Sequence, residues 1–204
     1  NKLKNVKPKD AIKHPNWRMG KKISIDSATL MNKVFEVIEA QRIFKIDINK
    51  FDILIHPSSY IHSIIKLNNG QIKILAHDTD MKIPIFNSIY REGLNKINTK
   101  KININLLNNL RLTKINYFKY PSIKILKRIN NKNTLFETVL ISANDELVEL
   151  YIKNKIKFLE INKILLKVLN TKKYSNLINK KPKKISDILN LSEDVRLKTR
   201  NLCI

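Results

Sequence analysis

Glycine occurs at only three of 204 positions, Gly20, Gly70 and Gly93. They lie too far apart to build a G-x-G-x-x-G turn or any related glycine-rich loop, so the chain carries no dinucleotide-binding fingerprint and no domain organised around one. Their scarcity makes the remaining glycines informative. Asn68-Asn69-Gly70 is a strong hairpin turn between two apolar stretches, and it predicts strands over 61–67 and 71–77, with another over 52–56. From Pro121 onward apolar residues recur at spacings of three and four, which predicts helices at about 122–131, 143–154, 159–170 and 185–200 and therefore a small bundle. Between the two, residues 98–120 are of low complexity in Asn, Ile and Lys and read as an ordered crossover. Lys180 to Lys184 form the loop before the last helix, with a solvated charged face. No internal repeat is visible.

Charge sets a second boundary. Forty Lys and Arg against 17 Asp and Glu give a formal net charge of +23, a balance that suits polyanion binding. The lysines are spread along the chain, however, they far outnumber the arginines, and Ile and Asn are equally abundant, as AT-rich codons produce. With no recognised nucleic-acid motif, a nucleic-acid partner is not expected. A phosphorylated small molecule needs only a local positive site. The 43% hydrophobic content is ordinary for a globular chain, and 204 residues suffice for one or two domains. A single cysteine, Cys203, no apolar run of about 18 residues and no signal-type start together predict a reducing, soluble location away from membranes.

The densest chemistry lies between Lys13 and Glu36. Lys13-His14-Pro15-Asn16-Trp17-Arg18-Met19-Gly20 is followed by Asp26-Ser27-Ala28-Thr29-Leu30-Met31-Asn32-Lys33-Val34-Phe35-Glu36. Lys21 to Ile25 alternates basic and apolar residues, predicting a short strand, and Asp26-Ser27 supplies the oxygen-bearing residues that cap a helix beginning near Ala28. At about 100° per residue, Thr29, Asn32, Lys33, Glu36, Glu39 and Ala40 share one sector while Leu30, Met31, Val34, Phe35, Val37 and Ile38 fill the other. Asn32, Lys33 and Glu36 are three and four apart, so their side chains converge. Helix-start amides, the Ser27 hydroxyl and the Lys33 ammonium would seat a phosphate, and Glu36 could hold a hard divalent cation.

The same spacing also describes an ordinary amphipathic helix with a solvated Asn/Lys/Glu face and an ion pair, and spacing alone does not choose between them. His14 before Pro15 could simply end a turn, and Trp17 could anchor a loop. His56 and His62, six apart around a proline, read as strand and turn residues rather than metal ligands. Met81 by itself reads as core.

Residue identity goes further. HPNWxMG, DSATxMNK and a Glu three residues after that Lys resemble the 1-deoxy-D-xylulose 5-phosphate reductoisomerase family. Leu54-Ile55-His56-Pro57 with Ile61-His62-Ser63 is similar to the family's LIHPxSxIHS segment, Asp80-Met81 with Pro84-Ile85 to its PDMxxPI segment, and Ser142-Ala143-Asn144-Asp145-Glu146 to its NAANE signature. The chain departs from the pattern at Val34-Phe35, where the family usually has Gly-Leu, and around Tyr90-Arg91, where a Trp-Pro pair is replaced.

The resemblance implies an enzyme that isomerises 1-deoxy-D-xylulose 5-phosphate and reduces the resulting aldehyde with NADPH to 2-C-methyl-D-erythritol 4-phosphate, assisted by Mg or Mn. It implies that His14 closes over substrate from a lid loop at 13–20 to which Trp17 and Met19 belong. Gly20, Met19 and Met81 would meet the cofactor, with His62 lining the site. Ser27, Asn32 and Lys33 would bind the phosphate and adjacent hydroxyls, and Glu36 would ligate the metal and touch substrate. His14, Lys33 and Glu36 would be the catalytic set.

In the family a Rossmann-like domain comes first, then an acidic Asp-Ser-Glu segment with two further metal ligands and a Ser-containing substrate loop. None of these occurs before Lys13, and the first residue is Asn rather than Met. The expectation is therefore the carboxy-terminal half of the enzyme: an α/β (α+β) catalytic domain over 1–110, a connection over 111–121, and a small all-α bundle over 122–204, with the amino-terminal Rossmann-like domain missing. The resemblance further implies a homodimer at full length, in a bacterial cytoplasm or a plastid-type organelle. The alternatives are a non-catalytic fragment or remnant and a basic polyanion-binding module.

Overall fold

The computed structural model describes residues 6–12, 19–90 and 95–203. Their contacts group into two compact units, one made of 6–12, 19–52 and 116–203, the other of 53–90 and 95–115. This grouping differs from the expected division near residue 110: the segment carrying the Asn/Lys/Glu face packs with the carboxy-terminal helices, because its apolar side has its partners there.

In the first unit, α1 (Pro8–Ala11) is a single turn. The strand expected over 21–25 is instead the start of α2 (Lys21–Ala28). Alternation misled here because burial follows a helical stripe: Ile25 is fully buried between the buried polar Ser24 and Asp26, while Ile23 is exposed. The Ser24 hydroxyl bonds back to the Gly20 carbonyl and Lys22 pairs with Asp26 one turn on, both helical spacings. Asp26 and Ser27 thus end one helix rather than cap the next. The chain breaks at Thr29-Leu30, with Leu30 in the left-handed region at φ 58°, and resumes as α3 (Met31–Phe44). Met31, Val34, Val37 and Gln41 form the buried stripe of α3, which packs with a 3-10 helix over Pro121–Arg128 whose Ile123 and Ile125 are buried.

The centre of the unit is α6 (Leu135–Ile152), eleven of whose residues are buried. It begins eight residues before the predicted 143. Thr134 caps it, its hydroxyl accepting from the Phe136 amide while Glu137 accepts from the Thr134 amide at 3.0 Å. Around it pack α7 (Phe158–Leu169), α8 (Lys172–Ser175) and α9 (Ile185–Asn201). Glu160 and Asp187 start α7 and α9 in the same way, accepting from the Lys157 and Lys184 amides at 2.6 and 3.2 Å. The guanidinium of Arg42 ties α3 to the turn before α6, donating to the carbonyls of Asn130 and Lys132 at 2.9 and 3.0 Å and to Glu137.

The second unit is built from local pairs. β2 (Ile61–Lys66) and β3 (Ile72–Ala76) form the predicted antiparallel hairpin, with Ile64 opposite Ile74 and a register shift between Ile61 and Ser63. Gly70 takes φ 87° in its turn, a conformation that favours glycine. β1 (Leu54–Ile55) pairs with β4 (Thr113–Lys114), so the low-complexity stretch is ordered and includes the short helix α5 (Ile104–Asn108). α4 (Lys82–Ile89) completes the unit. Of its described residues only Ile115 is buried. No described helix is long and apolar enough to cross a membrane.

Candidate functional site

The first turns of α3 present the predicted polar face. Asn32 Nδ2 donates to Glu36 Oε1 at 2.5 Å and Lys33 Nζ lies 2.6 Å from Glu36 Oε2, so each carboxylate oxygen is held by a different neighbour. The Lys33 and Glu36 side chains are 43% and 45% exposed, which leaves the trio open to a solute while Val34 behind it is fully buried. Ser27, half-buried, belongs to the last turn of α2, ahead of the break. The bend at Leu30 permits this change of direction, and it is fixed from below: the Thr29 hydroxyl returns to the Ile25 and Asp26 carbonyls, and the buried Ser122 hydroxyl donates to the Thr29 carbonyl at 2.7 Å. Hydroxyl, amide, ammonium and carboxylate on either side of a bend suit a polyhydroxylated, phosphorylated solute.

A charged network not foreseen from the sequence joins α2, α6 and α9. Asp26, 2% exposed, receives Lys22 Nζ at 2.7 Å and Asn144 Nδ2 at 2.8 Å. Lys22 also lies 3.0 Å from Asp145. Burial alone pulls the Lys22 ammonium down, but its hydrogen bonds and charge pairing with Asp26 and Asp145 outweigh this and hold its pKa above the ordinary lysine value. Arg196 pairs with Asp145 at 3.1 Å, and Arg200 grips the buried Glu146 at 2.8 and 3.0 Å. The signal was present as Lys22 and Asp26 at i,i+4 and as the polar run Asn144-Asp145-Glu146. Nothing in the sequence states that these would meet.

Other expected site residues divide between the two units and the undescribed positions. His14 and Trp17 fall outside the described residues. Met19 is half-buried and Gly20 is the N-cap of α2, with no atom of the described residues within 4 Å of where a side chain would stand. In the second unit Met81 is 51% exposed at the start of α4 rather than in a core. The His62 ring stacks on His77 with centroids 3.7 Å apart, and its Nε2 lies 3.2 Å from the His77 carbonyl, which makes that nitrogen the donor. His56 Nδ1 bonds the Arg111 carbonyl at 2.8 Å and its Nε2 lies 2.7 Å from the Ser58 hydroxyl. Both histidines are occupied in strand and turn contacts, and among the described residues no three His, Cys, Asp or Glu gather to cage a metal.

The class that emerges is a mixed helix-and-strand chain with a helical carboxy-terminal region and an exposed polar helix face. Two family models cover most of it, the 1-deoxy-D-xylulose 5-phosphate reductoisomerase C-terminal domain over residues 1–44 and the DXP reductoisomerase C-terminal domain over residues 77–198. The chain belongs to this reductoisomerase family. It is 52% identical over 203 residues to the 1-deoxy-D-xylulose 5-phosphate reductoisomerase of Pelagibacter ubique (strain HTCC1062), covering 100% of this chain and 52% of that protein. The Clostridium novyi (strain NT) enzyme of the same name is 35% identical, over 98% of this chain and 50% of its own length. Among solved structures, a DOX-P reductoisomerase in complex with NADPH, fosmidomycin and magnesium matches at TM-score 0.90 and 28% identity, over 99% of this chain and 50% of that one. The Zymomonas mobilis enzyme in complex with NADPH matches at TM-score 0.84 and 29% identity, over 99% and 51%. The chain spans about half the length of the curated relatives it matches.

Proposed function

We propose that this chain forms the carboxy-terminal part of an enzyme that converts 1-deoxy-D-xylulose 5-phosphate to 2-C-methyl-D-erythritol 4-phosphate, by isomerisation and then NADPH-dependent reduction. The observation that carries the reading is the pre-assembled trio of Asn32, Lys33 and Glu36 on an open helix face, directly after the bend that follows Ser27. Ser27, Asn32 and Lys33 bind the phosphate and neighbouring hydroxyls, the Lys33 ammonium supplying the charge and the two polar side chains the direction. Glu36 orients Lys33 and faces the substrate oxygens. His14, which lies outside the described residues, contacts the substrate. Met19, Gly20 and Met81 contact NADPH. The intact enzyme acts as a homodimer in a bacterial cytoplasm or plastid-type organelle.

The donor set does not complete a metal site. Glu36 offers one carboxylate where Mg or Mn is held by about six oxygens, and the described residues gather no further acidic ligands around it. Glu36 therefore contributes a single ligand, and the other ligands come from outside this chain's described residues.

The reading is tested by amide hydrogen exchange with 1-deoxy-D-xylulose 5-phosphate. Slowed exchange at 27–36 and 14–20, strengthened when the amino-terminal half of a relative is supplied with NADPH, is expected. Equal slowing by plain phosphate and by DNA would mean charge binding alone and would overturn it.

A further inference from the structure

We propose that Asn144 and Asp26 are positioning residues, through which α6 fixes the orientation of Ser27 at the substrate phosphate. The inference rests on the function proposed above and goes beyond it by assigning a role to two buried side chains that touch no substrate.

Asp26 and Ser27 are consecutive on α2, so their side chains project about 100° apart around the helix axis. Asp26 points inward, 2% exposed, while Ser27 remains partly open. Fixing the inward carboxylate therefore fixes the azimuth of the outward hydroxyl. Asn144, fully buried, donates to Asp26 Oδ1 at 2.8 Å, and Lys22 holds Oδ2 at 2.7 Å. Lys22 is itself steered by Asp145, the next residue on α6, at 3.0 Å. Two adjacent α6 residues thus hold both oxygens of one carboxylate, one directly and one through a lysine.

Helix packing alone does not account for Asn144. Its amide makes the single bond to Asp26, while its Oδ1 is buried with no hydrogen-bond partner among the described residues. An apolar side chain would fill the same space without stranding an acceptor. The asparagine is explained if direction matters more than stability at this point: its one donor specifies where Asp26 must sit. Downstream, the Ser122 hydroxyl on the Thr29 carbonyl clamps the other end of the same short segment. Ser27 to Leu30 is held between two buried side-chain donors, a geometry suited to presenting one hydroxyl at a fixed angle.

The test uses the full chain, with 1-deoxy-D-xylulose 5-phosphate as the probe, comparing the native protein, Asn144→Leu, and the exchanged pair Asp26→Asn with Asn144→Asp. The leucine variant removes the donor at similar volume. The exchanged pair restores an amide-to-carboxylate bond in the reverse sense while keeping Lys22 paired to Asp145. Asn144→Leu is expected to speed amide exchange at 27–30 about tenfold without altering α7 or α9, and to weaken protection by the probe about tenfold. The exchanged pair is expected to recover both to within about twofold. Native exchange and native affinity in Asn144→Leu would overturn the positioning role while leaving the phosphate reading intact. So would an exchanged pair no better than the leucine variant, which also covers the case where the leucine variant does not fold. If the native chain itself gains no protection from the probe, the phosphate reading falls and the positioning role with it.

Discussion

Isoleucine runs through both compact units, yet the two differ in how much of it they bury. In the helical unit Ile25, Ile125 and Ile161 are at most 1% exposed, whereas in the hairpin unit Ile65, Ile72 and Ile74 are 51%, 61% and 54% exposed. The helical unit has a core because α6 is apolar on several sides and neighbouring helices close over it. The hairpin unit has ladder hydrogen bonds and, among its described residues, one buried side chain, and an isolated two-stranded hairpin is marginal in water. Composition therefore says little about burial here. What decides it is whether the topology supplies a second apolar layer.

Core truncation tests this difference most directly. Leu147, fully buried on α6, is expected to cost about 2–5 kcal/mol when replaced by alanine, measured by urea denaturation. Ile74→Ala, at an exposed strand position, is expected to change the same transition by less than about 0.5 kcal/mol. Equal losses would mean that the hairpin is as much a part of the stabilising core as α6, and the contrast would collapse.

A smaller effect is expected where the helical unit buries charge. Glu146 is 2% exposed and depends on Arg200, which bonds both of its oxygens, while Arg196 stands further off at 3.8 Å. Arg200→Met leaves that carboxylate desolvated with a weakened partner and is expected to lower the urea midpoint by less than Leu147→Ala does. Glu146→Gln removes the stranded charge, so adding it to Arg200→Met should recover part of the loss in a double-mutant cycle. The equivalent change at Lys73, exposed on β3 of the hairpin unit, should be silent.

These contrasts bear on what the sequence made legible. The hairpin was readable because its determinants are local: Asn69-Gly70 sets the turn and alternating apolar residues flank it. The carboxy-terminal helices were readable from periodicity, although α6 starts at Leu135 because Thr134 and Glu137 form a capping box that the apolar pattern does not reveal. Lys21–Ile25 was misread as a strand because five alternating residues fit either period, and the deciding contacts are Asp26 with Asn144 and Ser122 with Thr29, separated by 118 and 93 positions. The Asn32, Lys33 and Glu36 face was readable because helical spacing alone brings it together. The network joining α2, α6 and α9 was not, since it depends on tertiary packing.

Alkaline titration separates the units by a different property. Burial pushes the Tyr151 phenol up to about 12, with the charge of Asp10 adding to it, and its hydroxyl donates to the Val6 carbonyl at 3.0 Å. Tyr174 is raised further by burial and by its bond to Asp194. In both, folding favours the neutral phenol, so the folded pKa lies above the unfolded value near 10. Their contribution to stability is complete below pH 10 and is lost as pH rises toward the folded values. Phenolate absorbance from these two residues should appear late, together with loss of helical signal. Tyr151→Phe should lower stability at neutral pH by removing the anchor on Val6 but flatten the alkaline loss, because a phenyl ring has no proton to give up.

The smallest stability effect is expected at the functional face, where it sharpens the comparison most. Lys33 and Glu36 belong to the helical unit but are 43% and 45% exposed, and an i,i+3 pair of this kind contributes about 0.2–0.5 kcal/mol, less at high salt. Lys33→Met should therefore leave thermal unfolding almost unchanged, as a surface change in the hairpin would, while abolishing protection of 27–36 by 1-deoxy-D-xylulose 5-phosphate. Glu36→Gln should be equally mild in stability, because the glutamine oxygen still accepts from Asn32 or Lys33. A variant that lost several kcal/mol here would show that the trio holds the helix together, and the assignment of this face to substrate would fail. Near-native stability with lost protection would instead place function on the part of the cored unit that contributes least to its core.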